Sequence, residues 1–210
     1  MKSITSFLFA TLSATLLAGS ALAAGPAPQA AKPDLAKGEA IFSQVCVACH
    51  AADGNSSTPA NPKLSQQHPE YLIKQLQEYK SGKRANAVMS GLASTLSDED
   101  MRNIAFWLAS KPAKPGFANN KETVAWGERI YRGGIPDRQI AACAGCHSPN
   151  GAGMPSQYPR LAGQHAEYTA LQLVHFREGV RKNNLQMTQV AAKMNDREIK
   201  AVSDYIAGLR

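Results

Sequence analysis

Two short motifs are the residues in this sequence best placed to do chemistry. Cys46-Val47-Ala48-Cys49-His50 recurs 97 residues later as Cys143-Ala144-Gly145-Cys146-His147. In a Cys-x-x-Cys-His pattern the two thiols can add to the two vinyl groups of a haem, and the adjacent imidazole can ligate the iron. Two copies therefore predict two covalently bound haem c groups, attached through Cys46, Cys49, Cys143 and Cys146 and ligated by His50 and His147.

Paired cysteines also occur in zinc sites, thioredoxin-like redox pairs and structural disulfides. A tetrahedral zinc site needs four nitrogen or sulfur ligands, whereas each half of the chain offers two cysteines and at most two or three histidines. A thioredoxin-like redox pair belongs to a βαβ pattern, which is missing here. Two disulfides would fit an oxidising compartment but would leave the histidine after each cysteine pair unexplained. Haem attachment is the reading that uses every residue of both motifs.

The sixth position of each iron needs a ligand, and the internal repeat selects two methionines for it. Met89 and Met187 occupy matching positions, 39 and 40 residues after His50 and His147. Methionine thioether is a soft ligand, and a His/Met pair raises the reduction potential. We therefore predict the axial pairs His50/Met89 and His147/Met187. Two core methionines at equivalent positions are the alternative reading.

A proline and a basic residue follow each motif histidine at the same distance. Pro62 and Pro159 lie 12 residues after the histidines. A backbone carbonyl there could accept a hydrogen bond from the second ring nitrogen and fix the orientation of the imidazole; an ordinary turn proline is the equal alternative. Lys63 and Arg160, the next residues, are candidates to contact haem propionates.

The motifs lie in two copies of one sequence. Eight further residues of the first copy recur at the same displacement of 97: Pro62, Leu64, Gln67, His68, Glu70, Tyr71, Gln75 and Gly82 match Pro159, Leu161, Gln164, His165, Glu167, Tyr168, Gln172 and Gly179. Duplication of a small domain explains this pattern. We predict an N-terminal domain at 38–111 and a C-terminal domain at 121–210, joined by a proline-rich linker at 112–120. The stretch Gly133-Gly134-Ile135-Pro136 has no counterpart in the first copy.

Each copy is predicted to be helical. A short helix runs from about residue 37 into the first motif, and amphipathic helices cover residues 69–79 and 166–177. The last helix opens with a capping box, at Ser97 to Asp100 and at Asn195 to Glu198. His68 and His165 stand just ahead of the amphipathic helices, where we expect capping or packing. No period-2 strand is evident, so the fold class is all-α.

The first residues have the layout of a targeting segment. A positive start, an apolar stretch and the small residues Ala21-Leu22-Ala23 predict a cleaved secretory signal peptide at 1–24, with an uncleaved membrane anchor as the alternative. Residues 25–37 are rich in proline and alanine and predict a flexible leader. We therefore expect an exported protein in a bacterial periplasm.

Charge argues against a nucleic-acid partner. The chain has 23 Lys and Arg against 16 Asp and Glu, a net charge of +7, but these residues are scattered. Four haem propionates would offset most of the excess, so the basic composition does not indicate nucleic-acid binding. A modest preference for an acidic partner surface is what the numbers support.

The two motifs, the matched methionines and the signal peptide together resemble the dihaem cytochrome c4 family of electron carriers. That resemblance implies two cytochrome c folds facing each other across a pseudo-twofold axis, with the haem propionate edges near the interface. It also implies the axial pairs given above and transfer of single electrons between respiratory proteins, from a cytochrome-reducing complex towards a terminal oxidase. We expect a monomer, with peripheral association with a membrane left open.

Two other classes of function stay open. A dihaem enzyme of the thiosulfate dehydrogenase or peroxidase type would need an open or unusually ligated iron, which matched methionines argue against. A haem subunit of a larger thiosulfate or sulfide dehydrogenase would have the same chemistry but a permanent catalytic partner. With an axial methionine at both irons, the expected role is electron carrier and not enzyme.

Overall fold

Ten α-helices form the part of the chain that the structure describes. This computed structural model describes residues 32–210, so the predicted signal peptide and most of the predicted leader lie outside the described residues. The five helices of the first half are Leu35–Val45 (α1), Val47–His50 (α2), Pro69–Lys80 (α3), Ala87–Ser94 (α4) and Asp98–Ala109 (α5). Those of the second half are Val124–Gly133 (α6), Ala144–His147 (α7), Ala166–Arg177 (α8), Leu185–Ala191 (α9) and Asp196–Gly208 (α10).

The two halves repeat one all-α architecture, as predicted. Within residues 32–210 the backbone forms helices, turns and isolated bridges but no β-sheet. The first and last helices of each half pack against each other, α1 against α5 and α6 against α10. Each half also has its own hydrophobic core, built around Phe42 and Met101 in the first and around Ile130 and Ile199 in the second. No described helix has the length and apolar character needed to cross a membrane.

Polar caps set where the helices begin. α1 begins at Leu35, slightly before the expected start, because the Asp34 side chain accepts from the Lys37 backbone N–H. Both predicted capping boxes are present, at the N-termini of α5 and α10. The short helices α4 and α9 were not predicted, and each begins after an asparagine, Asn86 or Asn184, that accepts from the helix's third residue.

Two glycines allow the terminal helices of each half to cross closely. A Cβ atom on Gly38 would lie 2.3 Å from the carbonyl oxygen of Asn103, and one on Gly127 would lie 2.1 Å from that of Ala201. Both distances are far inside van der Waals contact. Gly38 and Gly127 are therefore the points where α1 meets α5 and α6 meets α10.

Replacing Gly127 by alanine should destabilise the protein by about 1–3 kcal/mol, because the added methyl group forces α6 away from α10. Gly133→Ala is the matched control, since it lies on the same helix and its Cβ would meet nothing within 4 Å. We expect the control to unfold at or slightly above the wild-type temperature. Thermal unfolding followed by circular dichroism compares the two. Equal melting temperatures would show that the helix crossing tolerates a side chain.

The proline-rich stretch between the halves is fixed by contacts at both ends. Asn55 Nδ2 donates to the Pro112 carbonyl, and Asn55 Oδ1 accepts from the Lys114 backbone N–H. Farther along, the backbone N–H groups of Asn119 and Asn120 donate to the Asp204 carboxylate. Residues 112–120 contain no helix, so this segment is an ordered connection that packs along both halves.

The stretch without a counterpart in the first half folds into a closed loop. Ile135 and Ile140 form an isolated bridge around a single 3-10 turn at Pro136–Arg138. Arg138 makes an ion pair with the buried carboxylate of Glu198 and donates to the Lys193 carbonyl. This loop, which precedes the second cysteine motif in the sequence, is therefore anchored to the start of α10.

The halves meet through reciprocal hydrogen bonds. The side-chain amide of Gln67 accepts from the N–H of Arg160 and donates to its carbonyl, and Gln164 does the same to Lys63, at 2.8–2.9 Å. Equivalent residues thus make equivalent contacts in opposite directions, as a twofold relation between the halves requires.

His68 and His165 also bridge the halves. The sequence suggested capping or packing for both residues, and neither side chain caps its helix. Instead, His68 Nε2 lies 2.9 Å from the Ala152 carbonyl oxygen, and His165 Nε2 lies 2.8 Å from that of Ser56. A carbonyl can only accept, so each ring donates across the interface.

A buried arginine pair lies at the centre of this interface. Arg84 and Arg181 form an antiparallel bridge, and both are more than nine-tenths buried. Arg84 reaches Tyr168 and Gln172 of the second half, while Arg181 reaches Tyr71 and Gln75 of the first. The nearby positive charges hold the pKa of Tyr71 below its usual value despite its burial, which acts in the opposite direction.

Candidate haem sites

The four cysteines lie on single helical turns in both halves. Cys46 and Cys49 border or belong to α2, and Cys143 and Cys146 have the same relation to α7. Residues three apart on a helix are neighbours on one face, so each pair can hold two adjacent points of one ring. The second cysteine of each pair is exposed, the first is partly buried, and none of the four forms a disulfide.

Burial keeps the inner thiols protonated. Desolvation raises the pKa of both Cys46 and Cys143 to about 11. Their side chains pack against the hydrophobic core of their own half. A buried neutral thiol is consistent with the apolar environment that a porphyrin edge needs, and less so with a reactive thiolate pair.

Both motif histidines are buried and held in one orientation. His50 Nδ1 lies 2.9 Å from the carbonyl oxygen of Pro62, and His147 Nδ1 lies 2.9 Å from that of Pro159. A carbonyl oxygen can only accept, so Nδ1 carries the proton and Nε2 keeps a lone pair. Burial lowers the pKa of both rings, with the proline carbonyl acting in the opposite direction. Of the two alternatives for the prolines, the structure shows the carbonyl contact, which leaves Nε2 available for ligation.

The two matched methionines occupy equivalent places on unpredicted helices. Met89 is the third residue of α4 and Met187 the third residue of α9, and each N–H donates to its capping asparagine at 2.9 Å. Both side chains are partly buried. Met187 packs against the same core cluster as Cys143. The role of Met89 and Met187 as axial ligands stays a prediction.

The other three described methionines lie in the cores or on a loop. Met101 and Met194 are buried in the cores of the first and second halves. Met154, which has no counterpart, is 36% exposed on the loop after the second motif. These positions do not indicate a ligand role for any of the three side chains.

The two basic residues next to the prolines differ in their contacts. Lys63 Nζ donates to the carbonyls of Lys114 and Pro115, so it holds the connecting segment. The Nε of Arg160 is buried without a hydrogen-bond partner, and burial lowers the pKa of its guanidinium. A buried guanidinium nitrogen without a partner can donate to a carboxylate such as a haem propionate, which makes Arg160 the better of the two candidates.

The donor set fits haem better than zinc. Among residues 32–210, no group of three or more His, Cys, Asp or Glu side chains lies close enough to hold a metal ion. A porphyrin supplies four nitrogen ligands itself and needs the protein only above and below its plane. In each half one oriented imidazole supplies one of these two positions, and two unpaired thiols supply the points of covalent attachment.

Comparison with known proteins agrees with this geometry. The family model described as Cytochrome c matches residues 35–112 and 127–210. The chain belongs to the cytochrome c family. It is 45% identical over 187 residues to cytochrome c4 of Thiocapsa roseopersicina, which covers 87% of this chain and 95% of that protein. It is 37% identical over 188 residues to a thiosulfate dehydrogenase electron acceptor of Stutzerimonas stutzeri, which covers 83% of this chain and 87% of that protein.

A solved structure extends the likeness to three dimensions. Reduced recombinant cytochrome c4 from Pseudomonas stutzeri superposes with a TM-score of 0.81 at 42% identity, covering 85% of this chain and 100% of that one. The chain is thus a dihaem electron-transfer cytochrome of the cytochrome c4 type, with one covalently bound haem c in each domain. Its similarity to cytochrome c4 indicates an electron carrier.

Several residues that shape the sites were missed by sequence reasoning. Asn86 and Asn184, which cap the methionine helices, recur at the same displacement of 98 as Met89 and Met187. That match in the sequence could have identified the two caps. Tyr158, which packs edge-on against the His147 ring at a centroid distance of 5.8 Å, has Asn61 at the equivalent position and so left no repeat signal.

Proposed function

We propose that this cytochrome moves single electrons between respiratory proteins through two six-coordinate haems. In this proposal Cys46, Cys49, Cys143 and Cys146 carry the thioether bonds, and His50/Met89 and His147/Met187 are the axial pairs. The observation that carries it is the repetition, in both halves, of an oriented histidine and an asparagine-capped methionine helix. With both axial positions filled at both irons, neither haem has a place for a substrate.

The protein's own residues do the positioning. The Pro62 and Pro159 carbonyls hold the Nδ1 protons, which fixes ring orientation and makes Nε2 a stronger donor. The caps on α4 and α9 fix the backbone at Met89 and Met187. The bound haems supply one-electron redox chemistry. The reciprocal contacts between the halves keep the two sites at a constant separation.

The expected setting is the periplasm, reached through a cleaved signal peptide at residues 1–24. Targeting-type sequence at the start of the chain supports this. The proposed direction of flow is from a cytochrome-reducing complex towards a terminal oxidase. A second candidate, acceptance of electrons from a thiosulfate dehydrogenase, is favoured by the relatives that carry that name.

Replacing Met89 or Met187 by leucine should remove one methionine–iron bond. The wild-type oxidised protein should show the far-red methionine–iron charge-transfer band at the strength of two haems. Each single variant should show it at half strength, and the double variant should lose it. Two covalent haems per chain should persist throughout, measured by pyridine haemochrome assay, because attachment depends on the cysteines.

Met154→Leu is the matched control for these variants, because Met154 lies on an exposed loop. It should leave the band at full strength. A half-strength band in the wild type would mean that one iron lacks its methionine. That result would contradict the six-coordinate proposal and favour an enzyme with an open iron.

A further inference from the structure

The two methionine helices differ in how firmly the protein holds them. In the second half, α9 belongs to the hydrophobic core, since Ala191 is one of its buried members and Met187 and Val190 pack against it. In the first half, within the described residues, α4 contributes none to the core cluster. Asn184, the cap of α9, is partly buried, whereas the matching cap Asn86 is exposed. Side-chain packing therefore holds α9 more firmly than α4.

A one-residue insertion also ties α9 to the opposite half. Between its buried arginine and its helix cap the second half has Lys182 and Asn183, where the first half has only Ala85. Asn183 is buried, and its side-chain amide donates to Glu78 Oε2 of the first half at 2.6 Å. Its backbone carbonyl accepts from Lys74 Nζ, also of the first half, at 3.2 Å. Ala85 is exposed and has no polar side chain to form such a tether for α4.

A glycine in the middle of α4 weakens that helix further. Gly91 matches Gln189 of α9 at the displacement of 98 that relates the two methionines. Its backbone is helical, and a Cβ atom there would meet nothing within 4 Å, so no close approach requires a glycine. Glycine in a helix interior destabilises the helix because it loses the most conformational freedom on folding. Opening α4 therefore costs less free energy than opening α9.

We propose that the first haem iron is a binding site for a small uncharged nitrogen or sulfur donor, which takes the place of Met89 when α4 opens, while Met187 stays on the second iron. In this exchange the bond from iron to the Met89 sulfur breaks and a bond from iron to the added donor forms, with no change in oxidation state. An added ligand binds only the fraction of molecules whose methionine has left the iron. That fraction rises as local opening becomes less costly.

The chemical class of the ligand follows from the iron and from the charge of the segment that opens. Imidazole nitrogen and thioether sulfur are donors that protein-bound iron accepts. Residues 85–97, which comprise α4 and its flanks, contain no Asp, Glu, Lys or Arg. An ionic ligand that entered there would lose its hydration without gaining an opposite charge from this segment. The site therefore favours an uncharged donor.

This inference rests on the proposed axial pairs, and imidazole is the probe that tests it. Oxidised holoprotein is titrated with imidazole at constant pH, and the methionine–iron charge-transfer band is followed. The methyl groups of the two iron-bound methionines give separate NMR signals, which the Met89→Leu variant assigns. The band reports how many methionines have left, and the NMR signals report which one.

Half of the band should disappear first, together with the Met89 methyl signal. This first step should need at least about tenfold less imidazole than the second, because opening α9 also breaks the hydrogen bonds of Asn183. Gly91→Gln should raise the imidazole concentration of the first step by about threefold and leave the second unchanged. Gln189→Gly is the matched control. It should lower the concentration of the second step by about threefold and leave the first unchanged.

Earlier loss of the Met187 signal, simultaneous loss of both signals, or no loss at any imidazole concentration would overturn the inference and leave the carrier function in place. A first step that Gly91→Gln does not shift would overturn it as well. A band at half strength before imidazole is added would instead contradict the axial pairs. In that case the proposed function fails, and this inference fails with it.

Discussion

A chain with Cys143 and Cys146 both replaced by alanine should carry one covalently bound haem in place of two. Thioether bonds can form only at the remaining motif, Cys46 to His50. The pyridine haemochrome absorbance per chain should fall by half, and the intact mass should fall by one haem. The second half should also lose cooperative thermal unfolding, because a domain of this size with short helices depends on its cofactor for a sufficient core.

The same pair of substitutions at Cys46 and Cys49 is the matched control. It should also leave one haem, now in the second half, and the four-alanine variant should carry none. Retention of two haems by either double variant would contradict the assignment of the attachment sites. Loss of both haems by one double variant would show that the halves do not mature independently.

The second large effect is expected at the centre of the interface. Gln75 Oε1 accepts from both buried arginines, Arg84 at 2.7 Å and Arg181 at 3.0 Å. It also accepts from Asn183 at 3.0 Å. Gln75→Leu fills the space but leaves three buried donors without this acceptor, two of them on cations. Since each unsatisfied buried donor costs about 1–3 kcal/mol, we expect a loss of about 3 kcal/mol or more in the free energy of unfolding.

Gln77→Leu is the matched control for this change. It makes the same substitution two residues along α3, where the side chain is exposed and makes a single 3.3 Å hydrogen bond to Asp98. Its effect should lie within about 0.5 kcal/mol. Denaturant unfolding followed by circular dichroism compares both variants with the wild type. A small effect of Gln75→Leu would mean that water or a rearranged glutamine satisfies the arginines.

Most of the site residues could be predicted by comparing the two halves of the sequence with each other. The repeat identifies the motifs and selects Met89 and Met187. It excludes Met101 and Met194, because Ile199 and Leu96 occupy the equivalent positions. The capping boxes locate the starts of α5 and α10. In each box the N-cap side chain and the side chain of the helix's third residue accept from each other's backbone N–H, which is possible only where a helix begins. The prolines 12 residues after the motif histidines made a carbonyl contact one of two equal alternatives, and the structure shows that contact.

The contacts between the halves could not be obtained in that way. Arg84 and Arg181 match at a displacement of 97, but a matched arginine is by default a surface residue, and only the folded chain shows it buried. His68 and His165 were placed in local roles because helix caps are readable from sequence, whereas a partner 84 or 109 residues away is not. The α4 and α9 helices are too short for periodicity to reveal them.

The reciprocity of the Gln67 and Gln164 contacts bears on how such a chain could have arisen. An isologous interface is the one that two identical subunits form about a twofold axis. A single-domain ancestor with this surface would already have been a homodimer, so joining two gene copies end to end would have preserved every such contact. In a single chain the two copies can also differ, as Glu78 and His175 do at equivalent positions, so each half is free to specialise in a way that identical subunits are not.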